Sequence, residues 1–110
     1  MPQFVLLLRD NCFPNGMSPD EIQRVIEKYG EWMAKVKSVG GQKLRDAEGR
    51  VIKKNGKGVS VTDGPYAEGR EVMGGIIIVE APDYASAVRM CNDCPHLEFG
   101  TIEVREVEVV

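Results

Sequence analysis

The sequence is poor in cysteine, aromatic rings and imidazole: 110 residues hold three cysteines, one tryptophan and a single histidine. The odd number of cysteines gives no support to a disulfide framework, and we expect reduced thiols. No apolar run approaches the roughly 18–20 residues of a membrane span. The net charge is −3, so the chain has no electrostatic basis for binding nucleic acid or an anionic membrane directly.

The first nine residues, Met-Pro-Gln-Phe-Val-Leu-Leu-Leu-Arg, are typical of a strand. They have neither the basic region nor the small-residue cleavage site of a signal peptide, which predicts a cytoplasmic protein. The length predicts one domain over residues 1–110. A domain of this size covers only a moderate share of its surface, so pairing with a second copy would help to stabilise it.

The clearest secondary-structure signal is an amphipathic helix that begins at Pro19. Ser18 and Glu21 match a capping box, and Pro19 stands at the first helical position. An apolar stripe at three- and four-residue spacing follows, made of Ile22, Val25, Ile26, Tyr29, Met33 and Val36. Gly30 interrupts this helix at a cost of about 1 kcal/mol relative to alanine. We expect a close backbone approach at that glycine.

Strands and a second helix are predicted around this helix. The predicted strands are residues 4–8, 42–46, 72–81 and 101–109. Residues 51–62 predict a hairpin around Asn-Gly. Residues 84–94 predict a helix with Ala87, Val88 and Cys91 facing inward. A slip in the alternation between Val104 and Val107 indicates a bulge. The pair Gly74-Gly75 indicates a sharp bend or a close approach to another backbone.

This order of elements predicts an α+β fold, the ferredoxin-like βαββαβ arrangement with an extra β-hairpin. Both helices would cover one face of an antiparallel sheet. The other face would remain apolar and exposed, which predicts a homodimer with the two sheets face to face. Trp32 lies beside the apolar stripe. Its side chain could pack in the core or in the dimer interface, or it could line a pocket between the helix and the sheet.

The densest group of functional residue types is the run Thr-Asp-Gly-Pro-Tyr-Ala-Glu at residues 62–68. Asp63 ends one strand and His96 precedes another, so the two could meet at one end of the sheet. A carboxylate on one imidazole nitrogen fixes the tautomer and leaves the other nitrogen as a base near neutral pH. The alternative is that Asp63 caps its own turn and His96 lies in a surface loop.

Three further side chains are candidates for contact with a ligand. Glu68, with Glu71 three residues on, could hold a basic group or form a solvated acidic turn. Tyr66 could stack on a ligand ring or fill the space between sheet and loop. Arg9 could face an anionic substrate group, or be a solvated strand end.

A metal or redox site is not favoured. Cys91, Cys94 and His96 fall short of the roughly four ligands of a structural zinc site. A redox cysteine pair normally opens a helix, whereas this pair closes one. We predict buried structural thiols and no cofactor, since phosphate-binding loops and nucleophile elbows are also missing.

The run at residues 62–68, with Glu71 and Gly74-Gly75, resembles the DGPF branch of the YCII-related family, whose pattern is Asp-Gly-Pro-Phe-Ala-Glu-Thr-Lys-Glu followed by Gly-Gly. Tyr66, Gly69 and Arg70 replace the family's Phe, Thr and Lys. The resemblance extends to the Leu-rich first strand and to the stretch around His96. It implies a dimeric α+β barrel. Some relatives are put forward as enzymes acting on small ring compounds, and others accompany alternative sigma factors.

Two functional hypotheses follow. In the first, Asp63 and His96 form an acid–base pair in an isomerase, lyase or hydrolase, with Arg9, Tyr66 and Glu68 shaping the cleft for a small molecule. In the second, the same pocket belongs to a ligand-sensing or regulatory dimer linked to sigma-factor control of transcription.

Overall fold

The computed structural model describes residues 1–10, 16–44, 49–64 and 73–109. In chain order the elements are β1 (Gln3–Arg9), α1 (Pro19–Lys35), β2 (Gly40–Lys43), β3 (Gly49–Asn55), β4 (Gly58–Gly64), β5 (Met73–Glu80), α2 (Tyr84–Met90), two 3₁₀ turns (Cys91–Asp93 and Pro95–Glu98) and β6 (Ile102–Glu106). Four strands form an antiparallel sheet in the order β2-β5-β1-β6, and β3 pairs with β4 in a separate hairpin. The predicted α+β, ferredoxin-like arrangement with an added hairpin is confirmed.

α1 begins at the residue that the capping box of Ser18 and Glu21 predicts. The Ser18 hydroxyl accepts a hydrogen bond from the Glu21 backbone N–H, and the Glu21 carboxylate accepts one from the Ser18 N–H. These bonds satisfy donors that a helix start otherwise leaves unpaired. The capping bond to Ser18 is also the main reason that the pKa of Glu21 is lowered.

The core lies between one face of the sheet and the two helices. Alternate residues of β1 and β5 meet Trp32 of α1 and Ala87 of α2, and the buried strand residues are Phe4, Leu6, Leu8, Ile77 and Val79. The Trp32 indole N–H donates to the Met90 carbonyl at 3.0 Å, so its one polar atom is satisfied inside the core.

The opposite face of the sheet carries the alternating partners of the core residues. The pairs Val5↔Ile78 and Leu7↔Ile76 lie at its centre, and all four side chains are partly exposed. Successive residues of a strand point to opposite faces of the sheet. A continuous apolar run such as Phe4–Leu8 therefore places apolar side chains on both faces.

The glycines of the second and fifth strands permit a close approach of two backbones. A Cβ added to Gly75 would lie 2.9 Å from the Gln42 carbonyl oxygen, and one on Gly41 would lie 2.9 Å from that of Ile76. The close-approach alternative is therefore confirmed for Gly75. The same expectation for Gly30 is wrong, because a Cβ there would meet nothing within 4 Å.

The second helix is shorter than the periodicity predicts. α2 ends at Met90 and tightens into a 3₁₀ turn at Cys91–Asp93. Helical backbone stops at Cys94, which is extended, because a proline disfavours the helical conformation in the residue before it. Ala87 and Cys91 are buried as predicted, but Val88 is 51% exposed. One residue past Ala87 is rotated about 100° around the helix, away from the sheet.

The ends of two strands also differ from the sequence expectation. β2 begins at Gly40 and pairs with β5 through Lys43, whereas residues 45 and 46 lie outside the described part of the chain. The pairing of β6 with β1 runs without a break from Ile102 to Glu106, so the predicted bulge is wrong. The irregularity falls in β1 instead, between Leu8 and Arg9, on its β5 side.

Candidate functional site

His96 lies at the junction of a 3₁₀ turn, α1 and the end of β1. Its side chain is completely buried. The hydroxyl of Tyr29 is 2.9 Å from Nδ1, and the carbonyl oxygen of Arg9 is 2.5 Å from Nε2. Both ring nitrogens therefore have partners, and the partners come from parts of the chain far from residue 96.

These partners determine the protonation of the ring. A carbonyl oxygen can only accept a hydrogen bond, so Nε2 of His96 carries the proton and donates to Arg9. In a neutral ring Nδ1 then accepts from the Tyr29 hydroxyl. Burial lowers the pKa of His96, while the bond to the Arg9 carbonyl and the charge of Asp10 act in the opposite direction. The ring is held neutral with a defined tautomer.

Local backbone structure holds this arrangement in place. The Arg9 N–H donates to the Thr101 carbonyl at 2.9 Å, and the Gly100 N–H donates to the His96 carbonyl at 2.9 Å. A Cβ on Gly100 would clash with the Arg9 carbonyl oxygen. The end of β1 can approach His96 this closely only because residue 100 has no side chain.

Beside Tyr29 a cavity of about 340 Å³ opens between α1 and the sheet. Its lining residues are Leu8, Ile26, Tyr29, Gly30, Met33, Gly41, Gln42, Lys43, Ile76 and Ile77. Most of this surface is apolar, with Tyr29, Gln42 and Lys43 supplying the polar groups. A concave apolar site with a few polar groups is the usual form of a small-molecule pocket.

The two ends of Arg9 have different partners: its backbone carbonyl contacts His96, whereas its guanidinium contacts Glu103. Its Nη2 is 2.8 Å from Oε1 of Glu103, in a partly exposed ion pair. The hydrogen bond from Arg9 is the main cause that lowers the pKa of Glu103. Arg9, predicted to bind substrate, thus contributes its backbone to the His96 site and its side chain to a pair with β6.

Asp63 occupies a different setting. It lies on β4 with its side chain 92% exposed, and its Oδ1 is 3.7 Å from Nε of Arg50 on the paired strand. The structure brings His96 together with Tyr29 and Arg9, and it does not give His96 a contact with Asp63. Tyr66, Glu68 and Glu71 lie outside the described residues.

The cysteines of this region are buried, as predicted. Cys91 is 7% exposed and Cys94 3%, and burial is the main cause that raises the pKa of the Cys91 thiol. Within residues 1–10, 16–44, 49–64 and 73–109, no group of three or more His, Cys, Asp or Glu side chains is arranged to hold a metal ion.

Sequence reasoning missed Tyr29 and Lys43 as site residues. Tyr29 belongs to the apolar stripe of α1 and was therefore assigned to the core. A signal was present, because a tyrosine hydroxyl that faces a core needs a hydrogen-bond partner, and the single histidine is one of few candidates. Lys43 has no comparable signal, since only the tertiary structure places it at a cavity.

Comparison with known proteins places this chain in a family. A family model described as the YCII-related domain matches residues 3–110, and the chain belongs to that family. No curated protein matches it. One similar solved structure is 5-chloro-2-hydroxyhydroquinone dehydrochlorinase from Burkholderia phenoliruptrix AC1100, in complex with 2,5-dihydroxybenzoquinone. The identity is 15%, the alignment covers 96% of this chain and 93% of that one, and the TM-score is 0.46. Among the helices of the described part, none is long and apolar enough to cross a membrane.

Proposed function

We propose that this protein binds a small organic molecule in the cavity beside Tyr29 and catalyses a proton transfer there. The observation that supports the proposal is the hydrogen bond between the Tyr29 hydroxyl and the buried His96, next to an apolar cavity of about 340 Å³. The reaction class is the one expected for an acid–base enzyme without a cofactor: isomerisation, elimination or hydrolysis.

The tautomer of His96 sets the direction of proton transfer, because Nδ1 is the ring nitrogen that can accept a proton from Tyr29. An acidic C–H or O–H of the ligand would give its proton to the Tyr29 oxygen, while the Tyr29 proton passes to Nδ1 of His96. The ring would become an imidazolium that still donates to Arg9 through Nε2. Because burial disfavours the charged ring, the proton returns readily to the ligand. A proton that leaves and returns suits an isomerisation best.

The other predicted site residues enter this proposal in different roles. The Arg9 carbonyl positions His96 by fixing its tautomer. A direct bond from Asp63 to His96 stays a prediction, and it would require His96 to release Tyr29 or Arg9. Tyr66 and Glu68 remain candidates for ligand contact, as the sequence predicts.

Deuterium incorporation provides the test. Small ring compounds with exchangeable C–H groups are incubated with the protein in D₂O and followed by NMR. We expect Tyr29→Phe and His96→Gln each to abolish incorporation, while Tyr84→Phe, which alters a tyrosine outside the cavity, leaves it intact. Unchanged incorporation in both site variants would rule out the pair. Asp63→Asn, measured in parallel, shows whether the motif aspartate takes part.

A ligand sensor is the second candidate, and the complete burial of His96 favours it. A ring with both nitrogens bonded and no exposed surface serves structure as well as it serves catalysis. Thermal-shift screening separates the two, because a sensor is stabilised by a ligand that it leaves unchanged. A link to sigma-factor control stays a prediction, tested by co-purification with a sigma factor expressed alongside this chain.

A homodimer through the sheet faces is also part of the proposal, supported by the partly exposed Val5, Leu7, Ile76 and Ile78. Sedimentation should give twice the 12.2 kDa mass of one chain. Leu7→Glu on this face should shift the mass towards the single chain, whereas Val59→Glu on the β3–β4 hairpin should not. A monomer at micromolar concentration in the unmodified protein would contradict the dimer.

A further inference from the structure

We infer that the β3–β4 hairpin docks on a second copy of this chain, against the side chains of edge strand β6 and of residues 107–109, which follow it. The inference rests on the homodimer of the proposed function and adds a second contact to the one between the sheet faces. Sedimentation does not report on this docking, because the sheet faces hold the two copies together without it.

The hairpin has little packing within its own chain. Between residues 49 and 63 every residue is exposed or only partly exposed, and none is buried. β3 and β4 form a two-stranded sheet of their own, apart from the four-stranded one. An isolated two-stranded hairpin is only marginally stable in water, so a surface that packs against this one would stabilise it.

One face of the hairpin is apolar. Ile52 pairs with Val61, and Lys54 pairs with Val59. Paired residues share a side of the ladder, as do residues two apart on one strand, so the three aliphatic side chains lie together. Ile52 and Val59 are each 66% exposed and Val61 is 57% exposed. A group of exposed apolar side chains bordered by charge is typical of a protein–protein contact.

The charge of the hairpin selects the sign of its partner. It carries Arg50, Lys53, Lys54 and Lys57 against Asp63, a net charge of +3, within a chain whose net charge is −3. The remainder of the chain therefore carries −6. A second copy thus offers a surface of opposite sign, which favours association and orients it.

The acidic and apolar counterpart lies at the β6 edge of the sheet. Val107 is 40% exposed and Val109 is 95% exposed, and Glu106 and Glu108 alternate with them. Neither carboxylate forms an ion pair with another residue of the described part of the chain. This segment therefore matches the hairpin in both properties, with aliphatic side chains and charges of the opposite sign.

The backbone at this edge limits the kind of contact. The Val107 N–H donates to the Gln3 carbonyl at 2.8 Å, which continues the ladder with β1. The Glu106 N–H donates to the Tyr84 hydroxyl at 2.8 Å, so it is already bonded. Docking therefore uses side chains and not a full strand ladder. The opposite edge strand, β2, offers Lys43 and no carboxylate, so its charge has the same sign as that of the hairpin.

The geometry of a face-to-face dimer brings the hairpin to this edge. In the order β2-β5-β1-β6, a two-fold axis parallel to the strands places the β2 edge of one sheet opposite the β6 edge of the other. The hairpin follows β2 in the chain. Strands of seven residues span about 23 Å, which exceeds the spacing of about 10 Å between packed sheets.

Disulfide formation between two different chains tests the contact. In a Cys12→Ser background, Val59→Cys chains are mixed with Val109→Cys chains, allowed to exchange subunits and oxidised with oxidised glutathione. The remaining cysteines, Cys91 and Cys94, are buried. We expect linked pairs of chains at least about tenfold faster than in either variant alone, because docking raises the effective concentration of the two thiols. A mixture of Val88→Cys with Val109→Cys is the matched control, since Val88 is 51% exposed on α2.

Removal of charge from the acidic segment tests the choice of surface. Glu106→Gln combined with Glu108→Gln, introduced into the Val109→Cys chain, should slow the cross-link roughly two- to fivefold, the effect of an exposed ion pair. Glu98→Gln removes an exposed glutamate outside β6 and residues 107–109 and should leave the rate unchanged. An undiminished rate in the double variant would overturn β6 and its extension as the docking surface.

The remaining outcomes separate the docking from the dimer itself. A mixture that cross-links no faster than the Val88 control, in a protein that sediments as a dimer, would overturn the inference and leave the proposed homodimer standing. A protein that sediments as a single chain would contradict the homodimer and the docking together.

Discussion

The hydroxyl of Tyr29 lies 2.9 Å from Nδ1 of His96, although 67 residues separate them in the chain. Tyr29 comes from the third turn of α1 and His96 from a 3₁₀ turn after α2. Their contact ties both helical segments to each other, and the second nitrogen of His96 ties them to the end of β1 through the Arg9 carbonyl. Structure and proposed chemistry therefore depend on the same bond.

Removing the Tyr29 hydroxyl should destabilise the fold measurably. Tyr29→Phe leaves Nδ1 of a buried ring without a partner, and we expect a loss of about 1–3 kcal/mol in the free energy of unfolding, measured by urea denaturation. Tyr84→Phe is the control. The Tyr84 hydroxyl accepts from the Glu106 N–H at 2.8 Å in an exposed bond, so its loss should cost less than about 1 kcal/mol. Equal losses in the free energy of unfolding for the two variants would show that the bond between Tyr29 and His96 stabilises the fold no more than an exposed hydrogen bond does.

Stability should fall as the pH drops through the range of an unfolded histidine. The pKa of His96 is lowered in the folded state, chiefly by burial, so below about pH 6.5 the unfolded chain binds a proton that the native ring does not. The free energy of unfolding then decreases with falling pH, and the loss is complete below the native pKa. Above about pH 7.5 both states are neutral and the contribution is constant.

The single histidine makes this pH effect easy to isolate. In His96→Gln the slope of stability between about pH 5 and 7 should flatten, and NMR of the unmodified protein should show a ring that titrates below its ordinary pKa. The carboxylates with lowered pKa values, such as Glu103, lose their contribution in a separate, more acidic range. A ring that titrates above its ordinary pKa would contradict the assignment.

Gly30→Ala should stabilise the protein by about 0.5–1 kcal/mol. The helix interior gains a better helix former, and the added Cβ meets nothing within 4 Å. Gly41→Ala should have the opposite sign, because its Cβ would lie 2.9 Å from the Ile76 carbonyl oxygen. Both are measured by urea denaturation, and a destabilising Gly30→Ala would mean that the cavity wall has no room there.

The two buried thiols should react slowly in the native state. In a Cys12→Ser background, Cys91 and Cys94 should be labelled by Ellman's reagent only as urea unfolds the chain, since both are buried and the raised pKa of Cys91 reduces its thiolate fraction. Lys54→Cys in the same background provides an exposed thiol for reference. Native labelling of Cys91 or Cys94 at the reference rate would contradict their burial.

Several elements could be predicted because their signals are local. The capping box at Ser18 and Glu21, the apolar run of β1 and the Ile-rich β5 each depend on residues a few positions apart. The order of these elements led to the ferredoxin-like arrangement. Boundaries were less accurate where competing local effects meet, as at the end of α2 before Pro95.

The candidate site was only partly predictable. The sequence singled out His96 as a candidate and Asp63 as its expected partner, and in the structure the ring nitrogens of His96 are bonded to Tyr29 and the Arg9 carbonyl. The expectation relied on both residues lying near strand ends. Asp63, however, belongs to the separate β3–β4 hairpin, and nothing local to the motif reveals where that hairpin lies relative to His96.

By itself, the sequence determined which segments become helices and strands, which strand faces are apolar and which turns need glycine or proline. Those properties depend on backbone sterics and side-chain periodicity over a few residues. Tertiary structure alone decided that the hydroxyl of Tyr29 meets Nδ1 of His96, that the Arg9 carbonyl takes the other nitrogen, and that Lys43 stands at a cavity. Such contacts join residues far apart in the chain, and they form where packing α1 on the sheet buries the apolar stripe and leaves the fewest polar atoms unpaired.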